Sequence, residues 1–465
     1  MAPQAQSVEI PKRFPLVTSI ENRDDDTLKD AKLVNAYAEK MADGSYQVYK
    51  RAGLSAIITD KTGNGYGTYN WLNNIYAIFG TTLYKDGTSL GTVDGTGGVY
   101  CFVTTRGATP RLVMGNGVKA YTYEAAAGLL QITDVDFPTA FVKGWAYLDA
   151  TLYVMDSSGN IWGSDLNNPT SWTALNKIVA QVESDAGVAL AKQLVYVIAF
   201  KQWSTEVFYD AANSTGSPLG TVQGAKINYG CASADSIQEI DGILLWVSTN
   251  RTGTVQVLAM DGLKALPIST KPIERLLEKS VNFSTETVFS WQLNDDGHRF
   301  YVLTFKTADL TIVYDITEKM WYEWDTAGVY FPIVSSTYDA TLNHIVQGET
   351  DGNLYYMGRE YTTDTNVTIT VDIVTPNFDG GVRQRKVLNF LEIIGDQVKG
   401  SLLKIRKSDD DYQTWSNFRT VDLSKKRPFL TNCGTFYRRV YNFRHESNTR
   451  MRLQAAEMQI DLGVL

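Results

Sequence analysis

The sequence predicts an all-β chain whose body is a β-propeller of six or seven blades, and three observations predict it. The first is that short aromatic runs come in pairs, each folded about a tight polar turn. One pair reads Asn74-Ile-Tyr-Ala-Ile-Phe-Gly-Thr-Thr-Leu-Tyr84; it returns as Thr151-Leu-Tyr-Val-Met-Asp-Ser-Ser-Gly-Asn-Ile-Trp162 and again over residues 344–357. Tyr, Val, Ile and Trp suit a pleated, half-buried surface, while Asp, Gly, Asn and Ser tolerate positive φ or close local turns, so each pair is a hairpin. The second is that the pairs recur from residue 71 to residue 358 at roughly 35–55 residues, the length of a four-stranded blade. The third is that no nucleophile, base or metal cluster interrupts that stretch.

Taken in order, residues 1–60 read as an extended N-terminal arm leading into a first strand. Asp24, Asp25 and Asp26 lack the alternating oxygen ligands, turn glycine and closing Glu of a calcium loop, so they read as a solvated charge run. Residues 61–360 form the propeller body. Further hairpins cover 111–123, 195–209 and 242–258, followed by strands at 299–305 and 311–315. A helix is expected at 269–279, where Ser269 and Thr270 offer caps, Pro272 suits the first turn, and Ile273, Leu276 and Leu277 share one face. A second, shorter helix is expected at 176–183. Residues 361–465 form a C-terminal β-sandwich-like domain of five or six strands, with alternation at 366–374 and 401–406 and further runs at 435–444 and 450–460.

Composition narrows the chemistry. The chain has 465 residues, 44% apolar and 20% charged, and holds 10 Trp and 26 Tyr against 3 His, an inventory for packing and contact surfaces rather than acid–base or metal work. Cys101, Cys231 and Cys433 stand too far apart for a zinc site and are expected as reduced thiols. No secretory leader is legible, and apolar runs such as 194–200 fall far short of the about 20 residues that span a bilayer. The expectation is a protein made in a cytosol, with no membrane contact, no metal and no cofactor.

Three constellations invite a catalytic reading and fail it. Ser408-Asp-Asp-Asp-Tyr-Gln-Thr-Trp415 follows the Asp-box pattern of sialidase-like propellers with Tyr412 where Gly is usual; one copy argues for a stapled hairpin turn rather than a glycosidase. His298 follows Asp295-Asp296-Gly297 and reads as a turn histidine with no partnered nucleophile. Gly65, Gly67 and the glycines at 95, 97 and 98 precede neither a helix nor a Lys-Ser/Thr pair, so they do not cradle phosphate.

Charge divides the chain. Residues 383–452 carry 16 Lys and Arg against 7 Asp and Glu, a net of +9, whereas residues 1–382 carry 27 against 42, a net of −15. A basic C-terminal module on an acidic body suits docking to an acidic partner, and Arg438, Arg439, Arg444, Arg450 and Arg452 are its candidate interface residues. Strand alternation puts Arg438 and Arg444 on one face and Arg439 on the other, with Arg450 and Arg452 together on theirs, so at least one face should hold internal ion pairs.

Three stretches together carry a resemblance: residues 267–277, residues 297–305, and Ile312-Val-Tyr-Asp-Ile-Thr-Glu-Lys-Met-Trp-Tyr-Glu-Trp324. With the opening Asp30-Ala-Lys-Leu-Val-Asn35 and Arg51-Ala-Gly-Leu54, the chain resembles the packaged-DNA stabilisation proteins, or tail nozzle proteins, of short-tailed bacteriophages. Ala52 stands where that family's opening motif favours Pro. The resemblance implies a non-enzymatic virion part, assembled in the host cytoplasm. It implies a homohexameric tube beneath the portal-adaptor ring that closes the DNA exit and retains packaged DNA, lets genomic double-stranded DNA pass transiently and non-specifically, and mounts tail fibre, spike or needle proteins. The alternatives are a receptor-binding or glycan-processing tailspike-type propeller, which needs a paired carboxylate cleft, and a monomeric propeller scaffold for protein partners.

Overall fold

The computed structural model describes residues 13–20 and 31–462, so the acidic run at 24–26 lies outside the described residues. The chain forms two compact units, and they do not follow the three consecutive segments expected. One comprises 55–310 and 332–357; the other comprises 1–54, 311–331 and 358–465.

The first unit is the β-propeller. Five complete four-stranded antiparallel sheets follow one another over 65–92, 101–131, 146–179, 187–221 and 238–267. The hairpin Val288–Asp295 with His298–Phe305 and the strands Ile333–Tyr338, His344–Gly348 and Leu354–Gly358 continue the series, so the count falls within the expected six or seven. The core lies between neighbouring sheets. Leu83 and Met114 share one apolar cluster, Val113 and Leu152 the next, Met155 and Leu190 the next, and Phe200 and Trp246 the one after. Such clusters, at about 25 cal/mol per Å² of buried apolar area, supply most of the cohesion.

Polar side chains also join the sheets. Gln347 is fully buried; its Oε1 accepts from the Gly67 amide at 2.7 Å, and its Nε2 donates to the Ile78 carbonyl at 2.8 Å. This closes the last sheet onto the first. Gln193 donates in the same way to Gly242 O and Met260 O, and Gln238 to Ser290 O. Gly65 is required where this joint is tight, since a Cβ there would stand 2.4 Å from the Gly348 carbonyl oxygen.

The helix Lys271–Ser280 forms as expected, with Thr270 at its N-cap position and Ile273, Leu276 and Leu277 buried. The helix expected at 176–183 does not form. Residues up to Val179 belong to the long strand Asn168–Val179, paired with Asn160–Asp165 through Ile161↔Ile178 and Trp162↔Lys177. Ile178 packs into the core beneath while Leu175 stays exposed, a two-residue period that overrides helix propensity.

The second unit is a β-sandwich-like body assembled from distant parts of the chain. One sheet runs Ala36–Lys40, Tyr46–Lys50, Arg452–Leu462, Lys386–Gly395, Phe429–Thr431. The other includes Met320–Glu323, Lys32–Val34, Val371–Val374, Val440–His445, Leu402–Ser408 and Arg419–Asp422. The two layers face each other: Phe14 meets Tyr441 edge-on at 5.2 Å, and the Ala38 amide donates to the Tyr322 hydroxyl at 3.2 Å. Residues 32–50 are therefore strands of this body, which corrects their reading as part of an extended arm, and 311–315 lie here rather than in the propeller.

Arg51 organises this body. Its guanidinium clasps Asp364 through Nη1 at 2.8 Å and Nη2 at 2.6 Å, and donates further to Asn35 Oδ1, Ala52 O and Asp325 O. All five N–H donors are used. Phe331 covers its face at 4.4 Å. Asn35, at φ 54, closes the network by donating to Asp325 Oδ1 at 2.8 Å.

Candidate interaction surface

The five candidate arginines stand in very different surroundings. Arg439 is fully buried: Nε and Nη2 hold Asp409 at 2.6 and 2.9 Å, Nη1 donates to Cys433 O, and Phe436 lies 4.3 Å from its guanidinium carbon. It is an internal strut and not a docking residue, which corrects its place among the candidates. Alternation set it on the face opposite Arg438 and required at least one face to hold internal pairs, without saying which.

Arg444, on the strand Val440–His445, is part-buried and pairs with Asp372 on the neighbouring strand, Nε at 2.9 Å to Oδ1 and Nη2 at 2.9 Å to Oδ2. Asp372 holds that guanidinium charged above the ordinary arginine range. Arg452 pairs with Asp396, Nε to Oδ1 at 2.9 Å. Arg438 is exposed and lies 3.6 Å from Asp411. Arg450 is exposed, and among the described residues no carboxylate stands within ion-pair distance of it. Of the five, Arg438 and Arg450 are thus the exposed guanidiniums, with Arg444 and Arg452 engaged by carboxylates.

The sequence features with a catalytic look are turn and core elements here. Asp410 accepts from the Thr414 hydroxyl, from the Thr414 amide at 2.9 Å and from Ser408 Oγ at 2.8 Å, which holds its carboxyl down to about 2. Tyr412 sits at φ 67, the left-handed conformation that makes Gly usual at that position; its ring is buried and its hydroxyl donates to Thr375 O at 2.8 Å. The same staple recurs in the propeller, where Asp156 accepts from the Asn160 amide at 3.0 Å and Trp162 Nε1 at 3.0 Å. His298 opens the strand His298–Phe305 rather than lying in the turn; it is buried, with its ring stacked 5.7 Å from Phe300.

The propeller holds a cavity of about 860 Å³ whose lining includes Lys143, Asp235, Lys192, Glu239 and Arg106. Lys143 and Asp235 pair at 2.8 Å in its lining, so its charge is mixed rather than of one sign. Among the described residues no group of three or more His, Cys, Asp or Glu side chains is arranged to hold a metal ion, and no helix is long and apolar enough to cross a membrane. Cys231 and Cys433 are buried free thiols and Cys101 is half-buried.

A family model described as Bacteriophage P22 Gp10, beta-propeller, matches residues 12–361. No curated protein sequence matches. Among solved structures, virginiamycin B lyase from Staphylococcus aureus is similar at 8% identity over 66% of this chain and 99% of that one, TM-score 0.43. The N-terminal domain of Nup159 is similar at 10% identity over 70% and 99%, TM-score 0.40. The computationally designed Ika8 protein is similar at 12% identity over 66% and 99%, TM-score 0.39.

Proposed function

Because the chain belongs to the phage packaged-DNA stabilisation family described as Bacteriophage P22 Gp10, a β-propeller family, and is thus a phage structural protein, we propose that it builds the tail nozzle. Copies of the chain, six in the closed form, attach below the portal-adaptor ring, extend and close the DNA exit channel, and carry a distal fibre, spike or needle. No step of that role requires turnover of a substrate.

The observation that carries this reading is the separation of charge. A module with a net of +9 ends in guanidiniums left outside the internal ion pairs, Arg450 foremost, on a chain of net −8. Exposed cations of this kind steer and orient an acidic partner, here the adaptor ring, and an acidic remainder lets a DNA duplex slide past rather than adhere.

The test is attachment of purified protein to adaptor rings, followed by electron microscopy and salt titration. An Arg438→Glu/Arg450→Glu variant should keep its melting temperature, because neither residue holds a strong internal pair, and should lose attachment. A folded variant that attaches as the parent does ends the docking assignment.

A further inference from the structure

Within the sandwich-like body, four separate chain segments converge on a pocket of about 190 Å³. Lys50, Arg51, Arg359, Arg450 and Arg452 line it against a single lining carboxylate, Asp396. Two of these charges are already matched, Arg51 by Asp364 and Arg452 by Asp396.

Lys50 is not matched. It is 6% exposed, its ammonium donates to Ser447 O at 3.0 Å and Thr449 O at 3.5 Å, and a third N–H donor remains. Among the described residues no carboxylate lies within ion-pair distance of Lys50 or Arg450. Arg359 is held in place by ring faces, its guanidinium carbon 4.7 Å from the Tyr49 centroid and 5.4 Å from that of Tyr37. A buried ammonium without a counter-charge is costly, and an incoming anion removes that cost. Burial and the neighbouring Arg51 push the Lys50 amine down to about 8, which still leaves it protonated at neutral pH.

We propose that this pocket is a phosphate-binding site, taking one phosphate group either as free orthophosphate or as the terminal phosphate of a nucleic-acid strand. The surplus exceeds one charge and its donors come from several directions, which suits a tetrahedral dianion better than a planar monoanionic carboxylate. Arg450 serves both readings, but phosphate binding is read on the isolated chain without adaptor rings, so its failure leaves the nozzle reading untouched.

The experiment is isothermal titration of the full chain in phosphate-free buffer with sodium phosphate, against sodium chloride at equal ionic strength. A saturable isotherm with one site per chain is expected, present with phosphate and absent with chloride. Arg450→Gln, an exposed change that preserves the circular dichroism spectrum, should weaken binding about tenfold, as expected for the loss of one charge-assisted bond. Lys50→Met should abolish it; if that variant does not fold, Arg359→Gln serves in its place. A short oligonucleotide with and without a 5′-phosphate separates the sources. Binding of orthophosphate alone identifies the free ion, and binding that requires the 5′-phosphate identifies a strand end. Heats equal to those of chloride, unchanged affinity in Arg450→Gln, or equal saturable binding of both oligonucleotides overturns the site.

Discussion

The propeller and the sandwich-like body solve the problem of cohesion by different means. In the propeller each sheet is contiguous in sequence, and apolar clusters such as that around Phe200 and Trp246 glue neighbours together, with glutamine amides spanning the joints. It has one comparable buried ionic knot, Lys201 with Asp185 at 3.1 Å and Glu206 at 3.5 Å. The sandwich-like body draws strands from three separated stretches and pins them with arginine–carboxylate pairs, Arg51–Asp364, Arg439–Asp409 and Arg444–Asp372. Apolar glue is non-directional and tolerates drift in the repeats. A bidentate guanidinium dictates one geometry, which is what chain segments with no local register between them need.

The largest expected effect tests that contrast. Arg51→Met leaves Asp364, 4% exposed, as a buried unpaired carboxylate, a loss of about 3–5 kcal/mol. Hydrogen exchange should then show lost protection in Ala36–Lys40 and Lys386–Gly395 with protection retained in the propeller strands. The Arg51→Met/Asp364→Leu double variant should regain much of the loss; equal loss of protection in both units would break the comparison. Trp246→Ala is the reciprocal change. It opens a cavity beside Phe200 and costs about 3–5 kcal/mol, with protection lost across 187–267 and kept in the sandwich-like body.

The smallest effect sharpens the contrast through pH. His344 in the propeller is held neutral by burial, its imidazole pushed down to about 3. His445 in the sandwich-like body is pushed down equally, by burial and then by Lys50. Both side chains take up a proton near 6.5 when unfolded but only near 3 when folded, so stability falls in both units as pH drops through that window. Lys50 acts in the sandwich-like body alone. Its amine titrates near 8 folded and 10.5 unfolded, so between those values the unfolded state binds the extra proton and stability rises with pH. Unit-resolved exchange from pH 8 to 10 should show that gain in Tyr46–Lys50 and not in Tyr196–Lys201.

How legible each unit was follows from the same difference. The hairpins at 74–84, 151–162 and 344–357 are written in adjacent residues, so strand, turn and strand could be read in one window. The sandwich-like body depends on pairings such as Val34↔Glu323 and Leu33↔Ile373, hundreds of residues apart and invisible to local period. That distance turned strands at 32–50 into an apparent arm. At 168–179 the β-branched Ile178 and Val179 stand among Ala174, Leu175 and Lys177, which suit a helix as well, and Ile178 reveals its role only against Leu190 and its neighbours. Of the candidate surface, Arg450 was visible as charge in a basic stretch, while Lys50 and Arg359 gave no signal because their partners arrive from elsewhere in the chain. The opening motif Asn35…Arg51 carries the family resemblance, yet its physical content, the clasp on Asp364, exists only in the fold.

That clasp also sets a clock. Asp364 is 313 residues downstream of Arg51, so at a synthesis rate of about 5–20 residues per second the arginine waits roughly 15–60 s for its partner. During that interval the blade hairpins, whose partners are neighbours in sequence, have time to form many times over, each in about 1–10 μs. The segment 36–50 meanwhile offers an unpaired hairpin edge to anything nearby. The chain is thus exposed to misassembly during the minute of its own synthesis, and slowing translation downstream of residue 310 should lengthen that exposure in proportion.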